Sequence, residues 1–274
     1  MAECTFHPGR ETGVSCSACG NPICPDCMTP TPVGMRCPNC SREKTRVTNL
    51  AVQTDLPMVT VTLIALNVIV FVIASLAGGG FASGGQGQVM LNGQLYGPAV
   101  SDGAEYWRLV SSGFLHAGFF HLLMNMIFIW ILGSQLEPAL GKARFLTLYV
   151  VSLLCGSMGA LVLQPQVPVV GASGAAFGLL GAAIVMAHRR GTNIWNTGLG
   201  PVLVINLVIT FAVPGIAIGA HVGGVVGGLF AGFVLEEVGE RHGKNAALAA
   251  CAAIGVVAVV IGIAAASGTG LIPN

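Results

Sequence analysis

The run Ile218-Gly219-Ala220-His221-Val222-Gly223-Gly224-Val225-Val226-Gly227-Gly228-Leu229-Phe230-Ala231-Gly232-Phe233-Val234-Leu235 carries no charged side chain over 18 residues, yet it holds one imidazole. An apolar run of this length crosses the hydrocarbon of a bilayer as a helix. An ionisable group inside such a helix is a functional candidate by default. His221 shares a face with Gly224 and Gly228, so the ring stands on a stripe otherwise free of side chains and can be pressed against a neighbouring helix. Imidazole titrates near neutrality and suits a general base. The plainer alternative is a buried histidine satisfied by a carbonyl.

Working outward, six more apolar runs follow the same rule. The set is 57–77, 114–136, 145–163, 172–187, 199–213, 218–235 and 246–266, all read as helices because open backbone is too costly in lipid. Charged residues make up 8% of the 274-residue chain, against about 25% in soluble proteins. Mean hydropathy is +0.79. Twelve Lys/Arg and eleven Asp/Glu cannot furnish a soluble surface, and a nucleic-acid partner is excluded by the lack of a basic patch. The start, Met1 to Arg10, has no apolar core of a signal peptide. The fold class is therefore an all-α polytopic membrane protein embedded in a lipid bilayer, with a small polar head.

Cations set the orientation. Arg10, Arg36, Arg42, Lys44 and Arg46 precede the first span, Lys142 and Arg144 follow the second, Arg189 and Arg190 the fourth, and Arg241 and Lys244 the sixth. Seven spans place all of these on one side, which the positive-inside rule makes cytoplasmic. Only Arg108 falls opposite. The expectation is a multi-pass cell-membrane protein with a cytoplasmic N-terminus and an external C-terminus. Its Ala/Gly/Val richness and scarce Lys lean toward a GC-rich bacterial source. The connection 78–111 opens Gly-rich, and its Tyr106-Trp107-Arg108 segment suits the membrane interface.

The head, 1–45, is followed by a linker over 46–56. Seven of the nine cysteines lie in its first forty residues, as Cys4-x-x-His7, Cys16-x-x-Cys19, Cys24-x-x-Cys27 and Cys37-x-x-Cys40. A two-residue gap lets one tight turn present both side chains to one ion, and two such pairs complete a tetrahedral zinc site. Eight ligands imply two structural Zn2+. The crowding of Cys19 and Cys24 favours a cross-braced arrangement: Cys4/His7 with Cys24/Cys27, and Cys16/Cys19 with Cys37/Cys40. Sequential pairing is the other option. A disulfide framework needs an oxidising compartment, at odds with the cytoplasmic placement. The spacing resembles B-box or RING-like zinc modules, which bind proteins, so the head reads as a regulatory module or a docking site for a cytoplasmic protein partner.

Two further polar clusters accompany His221. His121 and Asn125 are four apart on the second span, and both can donate a hydrogen bond to an oxyanion; interhelical hydrogen bonding is the plainer reading of that pair. Ser173 opens the fourth span within Gly171-Ala172-Ser173-Gly174, near a helix N-terminus. Spans two, four and six all run inward, which puts His121, Ser173 and His221 at similar depth near the outer surface. A weak nucleophile, an adjacent base and oxyanion donors are what covalent hydrolysis requires.

Over roughly 55–237 the chain resembles the rhomboid intramembrane serine proteases. The resemblance lies in Trp107-Arg108, His116…His121-x-x-x-Asn125, Gly171-x-Ser173-Gly174 and Ala220-His221-x-x-Gly224, in the family's order. It implies a six-helix core, here 57–237, with the span at 246–266 as an additional seventh helix. It implies a Ser/His dyad without an acid partner: Ser173 as nucleophile, His221 as general base, and an oxyanion hole of the Ser173 N–H, His121 and Asn125. No cofactor is implied for catalysis. Substrates would be membrane proteins with a transmembrane helix. Span five, ending at Pro214-Gly215, is read as a lateral gate because Pro and Gly weaken helical continuity. Arg108 resembles a loop arginine paired with a glutamate, by position Glu137, although the topology puts those two at opposite ends of span two. Cys155 and Cys251 read as small apolar fillers, and Trp195 as an interfacial anchor. The competing classes are a catalytically inactive relative that binds transmembrane helices, and a transporter or channel, which the lack of midplane Asp or Glu disfavours.

Overall fold

The computed structural model describes residues 2–42, 56–78, 87–213 and 215–271. Lys44, Arg46, the linker up to residue 55, the Gly-rich segment 79–86 and Pro214 lie outside the described residues. The chain divides into two compact units, Met1–Thr54 and Asp55–Asn274.

The first unit contains two short antiparallel pairs, β1 (Ala2–Glu3) with β2 (Glu11–Thr12), and β3 (Thr29–Thr31) with β4 (Gly34–Arg36), followed by one helical turn, α1 (Pro38–Arg42). Its buried centre consists of Ile23 and the sulfurs of Cys4, Cys16, Cys24, Cys27 and Cys37. Thr12 Oγ1 donates to the Ile23 carbonyl at 2.8 Å, and the Ile23 N–H donates to the Val14 carbonyl at 2.9 Å. So small a hydrophobic centre leaves the cysteines as the main organising groups.

The second unit is a helical bundle. Its long helices are α2 (Met58–Leu76), α6 (Phe119–Leu140), α7 (Lys142–Leu163), α8 (Ser173–Arg189), α9 (Leu199–Ala212), α10 (Ile218–His242) and α11 (Lys244–Ala265), with short helices α3 (Gln88–Gly93), α4 (Gly97–Ser101) and α5 (Arg108–Ser111) between α2 and α6. Among the described residues, α2, α6, α7, α10 and α11 are long and apolar enough to cross a membrane. The protein is thus a mostly helical, multi-pass membrane protein. α8 is shorter and runs through the interior, with Gly174 to Ala182 continuously buried.

Three boundaries lie more than three residues from the hydropathy reading. Span two, expected over 114–136, begins only at Phe119, because Ser112–Phe114 form a 3-10 turn and Leu115 and Gly118 are extended. It continues to Leu140, and α10 continues past Leu235 to His242, because a helix does not end where its side chains turn polar. The polar extension of α10 is occupied: Arg189, at the end of α8, pairs with Glu236, Glu237 and Glu240, and Arg241 pairs with Glu237.

Close packing of α8 on α10 follows from paired glycines. A Cβ on Gly224 would overlap the Gly174 carbonyl, and one on Gly228 would overlap that of Gly178. With no side chains between them the two backbones touch, as small-residue stripes allow in membranes. Contact at both ends fixes their register: Ser173 and His221 meet at one end, and Arg189 meets the α10 glutamates at the other. The additional helix α11 packs on α7 and α10, burying Ala247, Cys251, Gly255, Ala258 and Gly262.

Candidate functional site

The site forms where the N-termini of α6, α8 and α10 converge. The approach to α8 is extended and held by backbone hydrogen bonds: Leu95 and Val169 exchange both bonds at 2.9 and 2.8 Å, and the Gly171 N–H donates to the Ser112 carbonyl at 2.9 Å. Gly171 adopts φ +128°, a region that favours glycine. A Cβ there would lie 2.7 Å from His121 Nε2 and 3.7 Å from Ser173 Oγ, so the missing side chain leaves open the space that these two groups share. The helix begins immediately afterwards at Ser173, where the first N–H groups lack intrahelical partners and can face an anion.

Ser173 Oγ lies 2.8 Å from His221 Nε2. The imidazole is buried, and Phe177 stacks on it with ring centroids 4.1 Å apart and planes inclined by 16°. Its other nitrogen, Nδ1, lies 2.7 Å from Thr210 Oγ1 on α9. On α6, His121 Nδ1 accepts the Ala117 N–H at 3.4 Å. The ring hydrogen then belongs on Nε2, the atom that faces Gly171. Asn125 is buried one turn below and donates one amide hydrogen to the His121 carbonyl at 2.9 Å. His116, 1% exposed, packs edge-on against His121 and accepts the Ala172 N–H through Nε2 at 3.5 Å.

Ser173, His221 and His121 are thus brought together, with Asn125 behind His121. Arg108 and Glu137 do not pair. Buried Arg108 is bound by Glu105 and donates to the Leu91 and Gln94 carbonyls, each at 2.7 Å, tying the loop helices together. Glu137, 3% exposed, accepts from the Val59 and Thr60 N–H groups at 2.9 and 2.8 Å and from Thr60 Oγ1 at 2.8 Å, capping the start of α2. Sequence reasoning missed Phe177, Thr210 and the contact of His116 with Ala172. Phe177 carries a readable signal, since it follows Ser173 by one helical turn. So does Thr210, which forms with Asn206 a polar i,i+4 pair inside an otherwise apolar run.

In the first unit the ligand candidates fall into two groups, Cys4, His7, Cys24 and Cys27, and Cys16, Cys19, Cys37 and Cys40, with the ligand atoms of each group within 4.8 Å of one another. Either group could hold a metal ion, and the grouping interleaves along the chain. Sulfur separations are 3.6 Å for Cys4–Cys27 and 3.9 Å for Cys24–Cys27 and Cys19–Cys37. A tetrahedron with metal–sulfur bonds of about 2.3 Å has edges of about 3.8 Å. Backbone N–H groups of Cys24 and Cys37 point at Cys4 Sγ and Cys16 Sγ, both at 3.3 Å, as they do toward thiolates. The Cys16 thiol is lowered to about 6 by the N–H groups of Cys37, Cys19 and Ala18. The Cys40 thiol is raised to about 12 by the sulfurs of Cys37 and Cys19 and by burial. Three sulfurs with one imidazole in the first group, and four sulfurs in the second, are donor sets that fit a divalent ion once it displaces their protons.

Residues 103–238 match the family described as Rhomboid domain. The chain is 34% identical over 179 residues, 64% of its length, to the rhomboid protease GluP of Bacillus subtilis (strain 168), covering 34% of that protein. It is 40% identical over 93 residues to the Rhomboid-like protease 3 of Toxoplasma gondii, covering 34% of this chain and 35% of that one. It is also 32% identical over 118 residues to the Inactive RHOMBOID-like protein 8 of Arabidopsis thaliana, covering 43% of this chain and 33% of that one. The chain therefore spans about a third of the length of these relatives. With the convergence of Ser173, His221 and His121 inside a helical bundle, the match assigns the domain: the chain belongs to the rhomboid family through residues 103–238.

Proposed function

We propose that the protein is an intramembrane serine endopeptidase that cleaves transmembrane segments of membrane proteins. The observation that carries this reading is the 2.8 Å approach of Ser173 Oγ to His221 Nε2 at the meeting of two helix N-termini. Ser173 Oγ attacks the scissile carbonyl while its proton passes to His221 Nε2. The carbonyl oxygen becomes an oxyanion facing the Ser173 N–H, the His121 Nε2–H and the Asn125 amide. Collapse breaks the C–N bond, His221 returns the proton to the leaving amine, and an acyl-enzyme on Ser173 remains. Water, deprotonated by His221, attacks the ester and releases Ser173. A substrate helix must unwind to expose its peptide bond, and the side-chain-free space at Gly171 accommodates an extended strand.

The short helix α9, whose Ile205, Val208, Ile209 and Phe211 are exposed, is the proposed lateral gate. The two cysteine groups are proposed to hold two structural zinc ions, each closed by four protein ligands, and the head to serve as a regulatory or partner-binding module on the cytoplasmic side of a bacterial membrane. Zinc supplies folding energy there and takes no part in peptide hydrolysis. The inactive relative motivates the second reading, helix binding without cleavage; the closely paired Ser173 and His221 speak against it. The test is cleavage, in liposomes, of a reporter protein with a single transmembrane helix. The wild type releases two fragments and Ser173→Ala releases none. An intact reporter with the wild type favours the helix-binding reading.

A further inference from the structure

The hydrogen-bond chain through His221 continues onto a third helix. Thr210, on α9, is 1% exposed. Its Oγ1 lies 2.7 Å from His221 Nδ1 and donates to the Asn206 carbonyl, one turn back on α9, at 2.7 Å. A hydroxyl has one proton to give and two lone pairs with which to accept. With its proton on the Asn206 carbonyl, Thr210 Oγ1 can meet Nδ1 only as an acceptor, so Nδ1 carries the ring hydrogen. Nε2 is then the bare nitrogen, and it is the atom 2.8 Å from Ser173 Oγ. The reverse arrangement, with Thr210 donating to Nδ1, would put the ring hydrogen on Nε2 and face Ser173 with a donor.

We propose that Thr210 is the positioning residue of the dyad: its hydroxyl fixes the His221 tautomer that can accept the Ser173 proton. This rests on the Ser173/His221 reading above and adds to it the orienting group that a dyad without an acid partner lacks. In other hydrolases a carboxylate holds the corresponding ring nitrogen and selects the productive tautomer. Here a neutral hydroxyl does so, which suits a buried site where an extra carboxylate would have to be desolvated. Phe177 limits the tilt of the ring by stacking, whereas Thr210 limits its rotation in plane. The acceptor is carried by α9, while the nucleophile and base are on α8 and α10. The base is therefore oriented only while α9 is seated against it, which couples the position of this helix to proton transfer.

The experiment compares wild type, Ser173→Ala, Thr210→Val and Thr210→Ser in liposomes against the single-helix reporter, with kcat and KM measured separately. Valine keeps the volume of threonine and removes the hydroxyl; serine keeps the hydroxyl and removes the methyl group. Thr210→Val is expected to lower kcat about tenfold, the worth of one hydrogen bond, with KM unchanged, and Thr210→Ser to restore most of it. A Thr210→Val enzyme as fast as wild type, or a Thr210→Ser enzyme as slow as Thr210→Val, overturns the proposal while leaving the dyad standing. A Ser173→Ala enzyme as fast as wild type removes the dyad reading and this proposal with it. Nitrogen-15 NMR of histidine-labelled wild type gives a second reading that needs no variant at Thr210. His221 is expected as the Nδ1–H tautomer, and the Nε2–H tautomer overturns the proposal.

Discussion

At the scale of single residues, function depends as much on what is missing as on what is present. Gly228 faces Gly178 so closely that any side chain would overlap backbone, and backbone cannot rotate away as a side chain can. Gly228→Val is therefore expected to destabilise the bundle by about 1–3 kcal/mol or more. It should also separate α8 from α10 and abolish cleavage, which thermal unfolding in detergent and the reporter assay together would register. The residues proposed for the chemistry were largely legible in the sequence. Ser173, His221, His121 and Asn125 are polar residues at helical spacings within apolar runs, and such groups stand out. Thr210 and Phe177 were less so, because a hydroxyl that bonds to its own helix and an aromatic in an apolar run are both ordinary until the fold shows what they touch.

At the scale of elements, charge is used to start and register helices. Glu137, near the end of α6, accepts two backbone N–H groups and one hydroxyl at the start of α2, a remote substitute for an N-cap. Glu137→Ala leaves buried donors without that acceptor. It is expected to cost about 2 kcal/mol in thermal unfolding, with α2 loosening first in hydrogen exchange at Val59 and Thr60. Hydropathy located the helices but misjudged their ends. It stopped α10 at Leu235, although Arg189 neutralises the glutamates beyond. It started span two at Phe114, although the chain turns sharply before Phe119. Likewise, the topology argument separated Arg108 from Glu137, but nothing in a linear sequence reveals that Arg108 binds loop carbonyls or that Glu137 caps α2.

At the scale of the whole molecule, two units with different sources of stability share one chain. The bundle buries apolar helix faces, whereas the head has a centre made largely of cysteine sulfur. Chelation of the proposed zinc ions is therefore expected to render residues 2–42 protease-sensitive and to leave tryptophan fluorescence unchanged, since Trp107, Trp130 and Trp195 all lie in the second unit. The direction with pH follows from the thiols. A metal ion must displace the proton that Cys40, raised to about 12, holds at neutrality, and Cys16, lowered to about 6, regains its own as the pH falls. Zinc affinity should fall with pH and drop steeply below about pH 6, as a competing chromophoric chelator would report on the full chain. The candidate ligands were visible in the spacing of the pairs, and the crowding of Cys19 and Cys24 already favoured the interleaved grouping over the sequential one, as the two groups in the fold have it. The measurement that most directly tests the account is reaction of the membrane-reconstituted protein with a fluorophosphonate, followed by mass mapping of the adduct. The account predicts one adduct, on Ser173, lost in His221→Ala because the nucleophile has lost its base. An unmodified Ser173, or equal modification without His221, would contradict it.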